Sequence, residues 1–429
     1  MQEAIGAPEV GPVASLRAEL ARIPLINSHS HLPSEAERLR MDVDALLFFS
    51  HAYPGADLRS AGMTDAEWKV VFDPTRPLEE RWPVFAPYWR WTRLTGYSRC
   101  ILKGFRDLLG FDHLTAQTVA PLSEAIRRFA RPGFYPQVLR QRSNIALSVL
   151  NMEDLVEVDR ELFLPLPRLN RFTMLRSADQ VRAIERDYDA SVHDLQQHVD
   201  LIGRVCRDWK AAGVAGVKMS QSYHRRMGFR RRQPQDAATV FDNLMRGRYA
   251  GLDTEEGALL EDYLVFACCR AAAGADLTVQ FHQGMRAGNG GSMEGCSPAP
   301  LAELLRAFPE VRFDLSHSGY PYLREGAVLA KTFPNVYLNM SWIHIISPGG
   351  TRLDLREWLE MVPYSKLIAF GDDLQHVEAV YGHAEMARDH FACCLASAMA
   401  EGVLSEETAL DVARAAFYDN PAAVYGVQG

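Results

Sequence analysis

The sequence lacks any apolar run long enough to cross a membrane, and this absence sets a first limit on function. A membrane-spanning helix needs about 18 successive apolar residues, and no segment of the 429 residues approaches that length. Residues 1–12 also lack the basic and apolar regions of a secretory signal peptide. We therefore predict a cytoplasmic protein with no membrane partner.

The sequence also lacks cysteine pairs with the spacing of a zinc site, and it has no excess of positive charge. The seven cysteines include no C-x₂₋₄-C spacing, so they offer no thiolate zinc site and instead indicate reduced thiols. The net charge of −8 provides no basic surface for nucleic acid. These absences argue against a cysteine-based zinc protein and against a nucleic-acid-binding protein. We predict a small molecule as the partner.

What the chain has is a regular alternation of apolar runs and helical patterns, clearest after residue 143. This alternation favours βαβ units and a parallel sheet. Eight strand candidates predict an α/β fold, a (β/α)₈ TIM barrel with additional C-terminal helices. The candidates are residues 23–26, 145–150, 171–175, 214–219, 277–282, 311–317, 335–340 and 366–373.

Residues 32–141 break this alternation. They are rich in aromatic residues and arginine and show helical periodicity in several places. We predict that they form a mostly helical insertion over the barrel mouth, where the loops that follow strands carry function. Residues 1–31 and 142–429 then form the barrel.

Six polar residues occur where five of the predicted strands end. The carboxyl ends of barrel strands open on one face, so these side chains should converge. Histidine and carboxylate are ligands for divalent metals. A single terminal histidine is more often structural, but six such residues in this order predict a metal site. They are His29, His31, Lys218, His282, His317 and Asp373.

These motifs resemble the amidohydrolase superfamily of metal-dependent hydrolases. The resemblance is strongest to the branch also found fused to glutamine-synthetase-like domains, and uronate isomerases are more distant relatives. The segments that carry it are residues 27–31, 216–218 with Tyr223, 280–284, 317–325, 333–338 and 370–373.

The resemblance implies roles for the six residues. His29, His31 and Asp373 would hold one divalent ion, and His282 and His317 would hold a second ion or line the substrate side. Lys218 matches the position of a carboxylated, bridging lysine, although an unmodified lysine near a single metal is an equal alternative. Asp372 competes with Asp373, and the superfamily spacing favours Asp373.

The chemistry implied by the resemblance is metal-assisted hydrolysis of an amide or related C–N bond in a small, carboxylate-bearing substrate. Zinc is the expected metal, with manganese or iron as alternatives; one ion is expected, and a second if Lys218 is carboxylated. Asp373 would act as general base, and His317 or His282 would stabilise the oxyanion.

Six further residues are candidates for substrate binding, because aromatic and arginine side chains near the barrel mouth can bind a carboxylate. Two lie in the insertion, and the others follow the fourth, fifth and seventh strands. They are Trp89, Arg93, Tyr223, Arg225, Arg286 and Trp342.

Other functions stay open at this stage. A uronate-type isomerase and a metal-dependent decarboxylase are alternatives on the same scaffold, and a catalytically silent barrel that serves as an interaction module is the non-enzyme alternative. Lys218 favours hydrolysis, because uronate-type sites need no lysine ligand. We also expect a homo-oligomer.

Overall fold

Eight short parallel strands form the centre of the computed structural model, which describes residues 11–293 and 295–427. Residues 1–10, most of the segment considered above for a signal peptide, lie outside the described residues. The strands are β1 Leu25–Ser30, β2 Ile145–Met152, β3 Phe163–Pro167, β4 Gly216–Met219, β5 Thr278–His282, β6 Phe313–Ser316, β7 Val336–Asn339 and β8 Leu367–Ile368.

The strands follow one another in chain order, first as β1–β3 and then as β4–β8. Backbone hydrogen bonds join these two sheets. The Leu169 N–H donates to the Lys218 carbonyl at 3.0 Å, which connects the residues after β3 to β4. The Asp373 N–H donates to the His29 carbonyl at 3.0 Å, which connects β1 to residues 369–373, the segment after β8 that is here called the β8 exit. The predicted (β/α)₈ barrel is therefore confirmed.

Amphipathic helices surround the strands and cover their outer side chains. Most have a buried apolar stripe, as expected for helices that pack on a sheet. They are Pro12–Arg22, Asn170–Thr173, Ala178–Asp187, Leu195–Ala211, Pro234–Met245, Glu255–Gly274, Ala302–Ala307, Leu323–Thr332, Ile343–Ile346, Pro348–Met361, Val377–Ala400, Glu406–Arg414 and Asn420–Tyr425. No helix among the described residues is both long enough and apolar enough to span a bilayer.

Between β1 and β2 the chain is helical. The helices are Glu35–Arg40, Ala52–Ser60, Asp65–Val71, Leu78–Thr92, Gly96–Leu109, Val119–Phe129 and Phe134–Pro136. Helix Gly96–Leu109 packs closely on Val377–Ala400, because Gly104 and Gly382 have no side chains. A Cβ at Gly104 would lie 2.2 Å from the Glu378 carbonyl oxygen. The segment is thus packed against the barrel helices.

The predicted third strand, residues 171–175, is wrong. Those residues belong to the short helix Asn170–Thr173 and the loop after it, whereas β3 is Phe163–Pro167. Pro165 and Pro167 hid this strand, because proline lacks a backbone N–H and is usually excluded from sheet interiors. Here Pro165 pairs in parallel with Leu150 of β2.

The last helix closes the amino-terminal end of the barrel. The Val424 carbonyl accepts a hydrogen bond from Arg312 Nε at 3.0 Å, just before β6 begins. Val424 and Tyr425 belong to a small buried apolar cluster at this end, here called the floor cluster. Its buried members are Val149, Leu166, Ala215, Ile368, Val424 and Tyr425.

Candidate metal centre and cavity

Three side chains meet where β1 and β8 end. The Asp373 Oδ1 lies 3.1 Å from His29 Nε2 and 3.3 Å from His31 Nε2. The potential ligand atoms of these residues all lie within 4.8 Å of one another. His29 and His31 share a face because they are two residues apart on an extended segment. Two imidazoles and a carboxylate suit Zn²⁺, Mn²⁺ or Fe²⁺.

Gln280 on β5 orients His29 for this role. Its Oε1 lies 2.7 Å from His29 Nδ1 and accepts a hydrogen bond from Lys218 Nζ at 2.8 Å. Because this oxygen is an acceptor, Nδ1 carries the proton and Nε2 keeps its lone pair. Burial also lowers the pKa of His29 to about 3, so the ring is neutral. This is the tautomer that a metal ligand needs.

His282 and His317 extend the cluster. Their ring centroids are 4.5 Å apart, and the His317 ring lies 5.3 Å from His29. His317 Nδ1 lies 3.2 Å from the Ser341 carbonyl oxygen, to which it donates, whereas the buried Nε2 has no partner among the described residues. This Nε2 lone pair beside the three candidate ligands fits a bound cation or a substrate hydroxyl.

The two neighbouring aspartates differ in their surroundings. Asp373 contacts the imidazoles, whereas Asp372 accepts hydrogen bonds from Asn27 Nδ2 and, at 2.7 Å, from the Leu374 N–H. Burial raises the pKa of Asp372 to about 7. The geometry therefore favours Asp373 as the ligand. Asp372 instead connects the β8 exit to β1 through its hydrogen bond with Asn27.

The candidate ligands open into a cavity of about 500 Å³. Lys218 is buried in its wall, and burial lowers the pKa of its amine to about 7. Several cavity residues were not found from the sequence: His51, Tyr53, Glu153, Arg168, Asn170, Met174, Ser220, Ala287 and Gln375.

Arg168 is the most informative of the residues that were missed. It follows β3 directly and bonds to Asn151 Oδ1 at 2.8 Å and to Glu153. The rule that polar residues at strand ends face the site would have found it if β3 had been placed correctly. Its guanidinium group adds a positive charge to the cavity wall.

Two of the predicted substrate residues lie at or beside the cavity. Tyr223 lines it, with its ring centroid 4.5 Å from that of His282. Trp342 is fully buried behind it, 5.3 Å from the His317 ring and 4.9 Å from Tyr53.

The other four predicted substrate residues do not line this cavity. Trp89 is buried among aromatic residues of the insertion, and its Nε1 donates to the Leu114 carbonyl at 3.0 Å. Arg93 is exposed where helix Leu78–Thr92 ends. Arg225 pairs with Asp262 at 2.8 Å and with Glu261. Arg286 lines an adjoining cavity of about 260 Å³. A role for these four residues in substrate binding stays a prediction.

Comparison with known proteins identifies the class of enzyme. A family model described as amidohydrolase matches residues 200–427, which is more than half of the chain. The chain belongs to this amidohydrolase family, whose superfamily consists of metal-dependent enzymes, and the resemblance read from its motifs is confirmed.

The individual relatives are similar either over a short segment or over most of the chain at low identity. Protein fluG of Emericella nidulans is 36% identical over 115 residues, which cover 25% of this chain and only 13% of that protein. The uronate isomerase of Rhizorhabdus wittichii is 21% identical over 93% of this chain and 91% of its own length. The crystal structure of glucuronate isomerase from Caulobacter crescentus superposes with a TM-score of 0.80, at 18% identity, over 100% of this chain and 97% of that one.

Proposed function

We propose that this chain is a metal-dependent isomerase that interconverts the aldose and ketose forms of a sugar acid. The observation that carries the proposal is that Arg168 shares one cavity with the candidate ligands His29, His31 and Asp373. The full-length similarity to uronate isomerases supports the same reaction class. Amide hydrolysis, the reaction that the resemblance of the motifs implies, is the second candidate.

The cavity offers complementary groups for the two ends of such a substrate. A guanidinium binds a carboxylate through paired, charge-assisted hydrogen bonds. Arg168 is held for this purpose by Asn151 and Glu153. His29, His31 and Asp373 would hold a divalent ion, which when bound polarises a carbonyl oxygen.

The isomerisation moves a proton from a hydroxyl-bearing carbon to the neighbouring carbonyl carbon. The hydroxyl proton moves to the former carbonyl oxygen, so the composition does not change. His282 donates its Nε2–H to the Met285 carbonyl at 3.1 Å, so its Nδ1 is the acceptor nitrogen. Burial lowers the pKa of His282 to about 3, which keeps it neutral. A neutral imidazole accepts a hydrogen bond from a substrate hydroxyl, and Tyr223 packs on the same ring.

The test is direct. The purified chain, loaded with Mn²⁺ or Zn²⁺, is incubated with glucuronate, and the ketose product is followed by NMR. In D₂O the product should carry deuterium at the carbon that gains the proton. The Asp373→Asn variant should give no product. Hydrolysis of N-acyl amino acids without any conversion of sugar acids would overturn the proposal.

Hydrolysis remains the second candidate because of Lys218 and His317, which the one-metal isomerisation does not use. Both are buried at the same barrel end as the candidate ligands. A second bound ion per chain, with binding that depends on bicarbonate, would indicate a carboxylated Lys218 and favour hydrolysis. Metal analysis with and without bicarbonate makes this comparison, with Lys218→Met as the matched variant.

A further inference from the structure

The last helix, Asn420–Tyr425, reaches into the barrel from the end opposite the cavity. Tyr425 is buried, with 2% of its surface exposed, and its ring packs in the floor cluster. Its hydroxyl group extends from this cluster to polar side chains between the strands. The helix therefore brings the Tyr425 hydroxyl group into the barrel interior.

The Tyr425 hydroxyl has a defined hydrogen-bond direction. It donates its single hydrogen to Asp314 Oδ2, so towards Gln280 it is an acceptor, and Gln280 Nε2 lies 2.6 Å away. The same Nε2 lies 3.0 Å from Asp314 Oδ2 and 3.0 Å from the Ser28 carbonyl oxygen. The amide NH₂ group is thus surrounded by acceptors.

This arrangement determines which way the Gln280 amide points. With NH₂ towards Tyr425 and Asp314, Oε1 faces His29 Nδ1 and Lys218 Nζ. A reversed amide would place its NH₂ group against the donors of His29 and Lys218 and its oxygen against acceptors. The reversed form would also favour a proton on His29 Nε2, where the metal must bind.

We infer that Tyr425 is a positioning residue for the metal centre, acting through Gln280 to hold His29 in its metal-binding tautomer. The inference rests on the metal site of the proposed function, but not on the identity of the substrate. It assigns the last helix a role beyond closing the barrel.

The test measures metal affinity without substrate. Zn²⁺ is titrated into the metal-free full-length protein in competition with a chromogenic chelator. Tyr425→Phe keeps the ring and removes the hydroxyl, and we expect Zn²⁺ affinity to fall about tenfold, the lower end of the range for residues that orient a ligand. Tyr337→Phe is the matched control, because Tyr337 packs on the floor cluster outside the Gln280 network; it should keep wild-type affinity.

A double-mutant cycle separates positioning from a general loss of stability. Gln280→Met should lower Zn²⁺ affinity up to about 100-fold, and adding Tyr425→Phe should lower it no further, since Tyr425 acts through Gln280. Wild-type affinity in folded Tyr425→Phe, or additive losses in the double variant, would overturn the inference.

If Tyr425→Phe fails to fold, the Zn²⁺ affinity of Gln280→Met is the deciding measurement. Unchanged Zn²⁺ affinity in Gln280→Met overturns the inference. A loss of affinity supports it even if the wild-type chain does not isomerise sugar acids, because the measurement needs no substrate.

Discussion

At the scale of single residues, two adjacent carboxylates at the β8 exit have different surroundings and should respond differently to substitution. Asp373→Asn removes the ligand that contacts both imidazoles, so bound metal should be lost. Asp372→Asn disturbs a buried hydrogen bond to Asn27 and should cost about 1–3 kcal/mol of stability while metal is retained. Elemental analysis and chemical denaturation of both variants make the comparison. Metal loss in Asp372→Asn alone would reverse the assignment.

Arg168 provides a second prediction at this scale. Arg168→Met should lower kcat/KM for a sugar acid about 10- to 100-fold, because a hydrogen bond to a charged group contributes about 1.5–3 kcal/mol. Turnover of a neutral aldose, if measurable, should change little. Arg93→Met is the matched control, since Arg93 is exposed and outside the cavity. Equal losses for the charged and neutral substrates would argue against carboxylate binding.

The candidate metal residues could be predicted from the sequence because strand ends in a barrel share one face. His29 lies near the end of β1, His31 follows β1 directly, and Asp373 ends the apolar run that contains β8, so a local pattern was enough. Tyr53 and His51 lie instead in the helical segment between β1 and β2. Their position depends on how that segment folds back over the barrel, which no local periodicity reveals.

At the scale of secondary-structure elements, the contact between helices Gly96–Leu109 and Val377–Ala400 should be intolerant of added volume. A Cβ at Gly104 would lie 2.2 Å from a backbone oxygen, so one helix must shift. We expect Gly104→Ala to destabilise the protein by about 1–3 kcal/mol, measured by urea denaturation.

Gly203→Ala in helix Leu195–Ala211 is the control for this contact. A Cβ there meets only the flexible Arg207 side chain, at 3.3 Å. Because alanine favours helix over glycine, this variant should be neutral or more stable by up to about 1 kcal/mol. Similar losses of stability in both variants would contradict the packing explanation.

The helices were easier to predict than the strands. Helical periodicity in residues 32–141 correctly predicted a mostly helical segment, whereas β3 was misplaced because its two prolines are untypical of a strand. Pro165 and Pro167 nevertheless pair in register with Leu150 and Met152 of β2, although neither has a backbone N–H. A strand of five residues gives little periodic signal to outweigh that.

At the scale of the whole molecule, metal should stabilise the complete fold. The candidate ligands come from β1 and from the β8 exit, so an ion that binds them favours only the closed barrel. Metal at about 100 times its Kd should add roughly 2.7 kcal/mol to the free energy of unfolding. We expect a higher Tm for wild-type protein with Mn²⁺ or Zn²⁺, and no rise for Asp373→Asn. A rise in the variant would indicate binding elsewhere.

The pairing of β1 with the β8 exit also has a consequence for synthesis on the ribosome. The Asp373 N–H bonds to the His29 carbonyl, so this part of the barrel cannot form until the last strand has left the exit tunnel. A nascent chain therefore displays His29 and His31 without their carboxylate until Asp373 has been synthesised. Stable capture of a cation must follow the emergence of Asp373 from the exit tunnel.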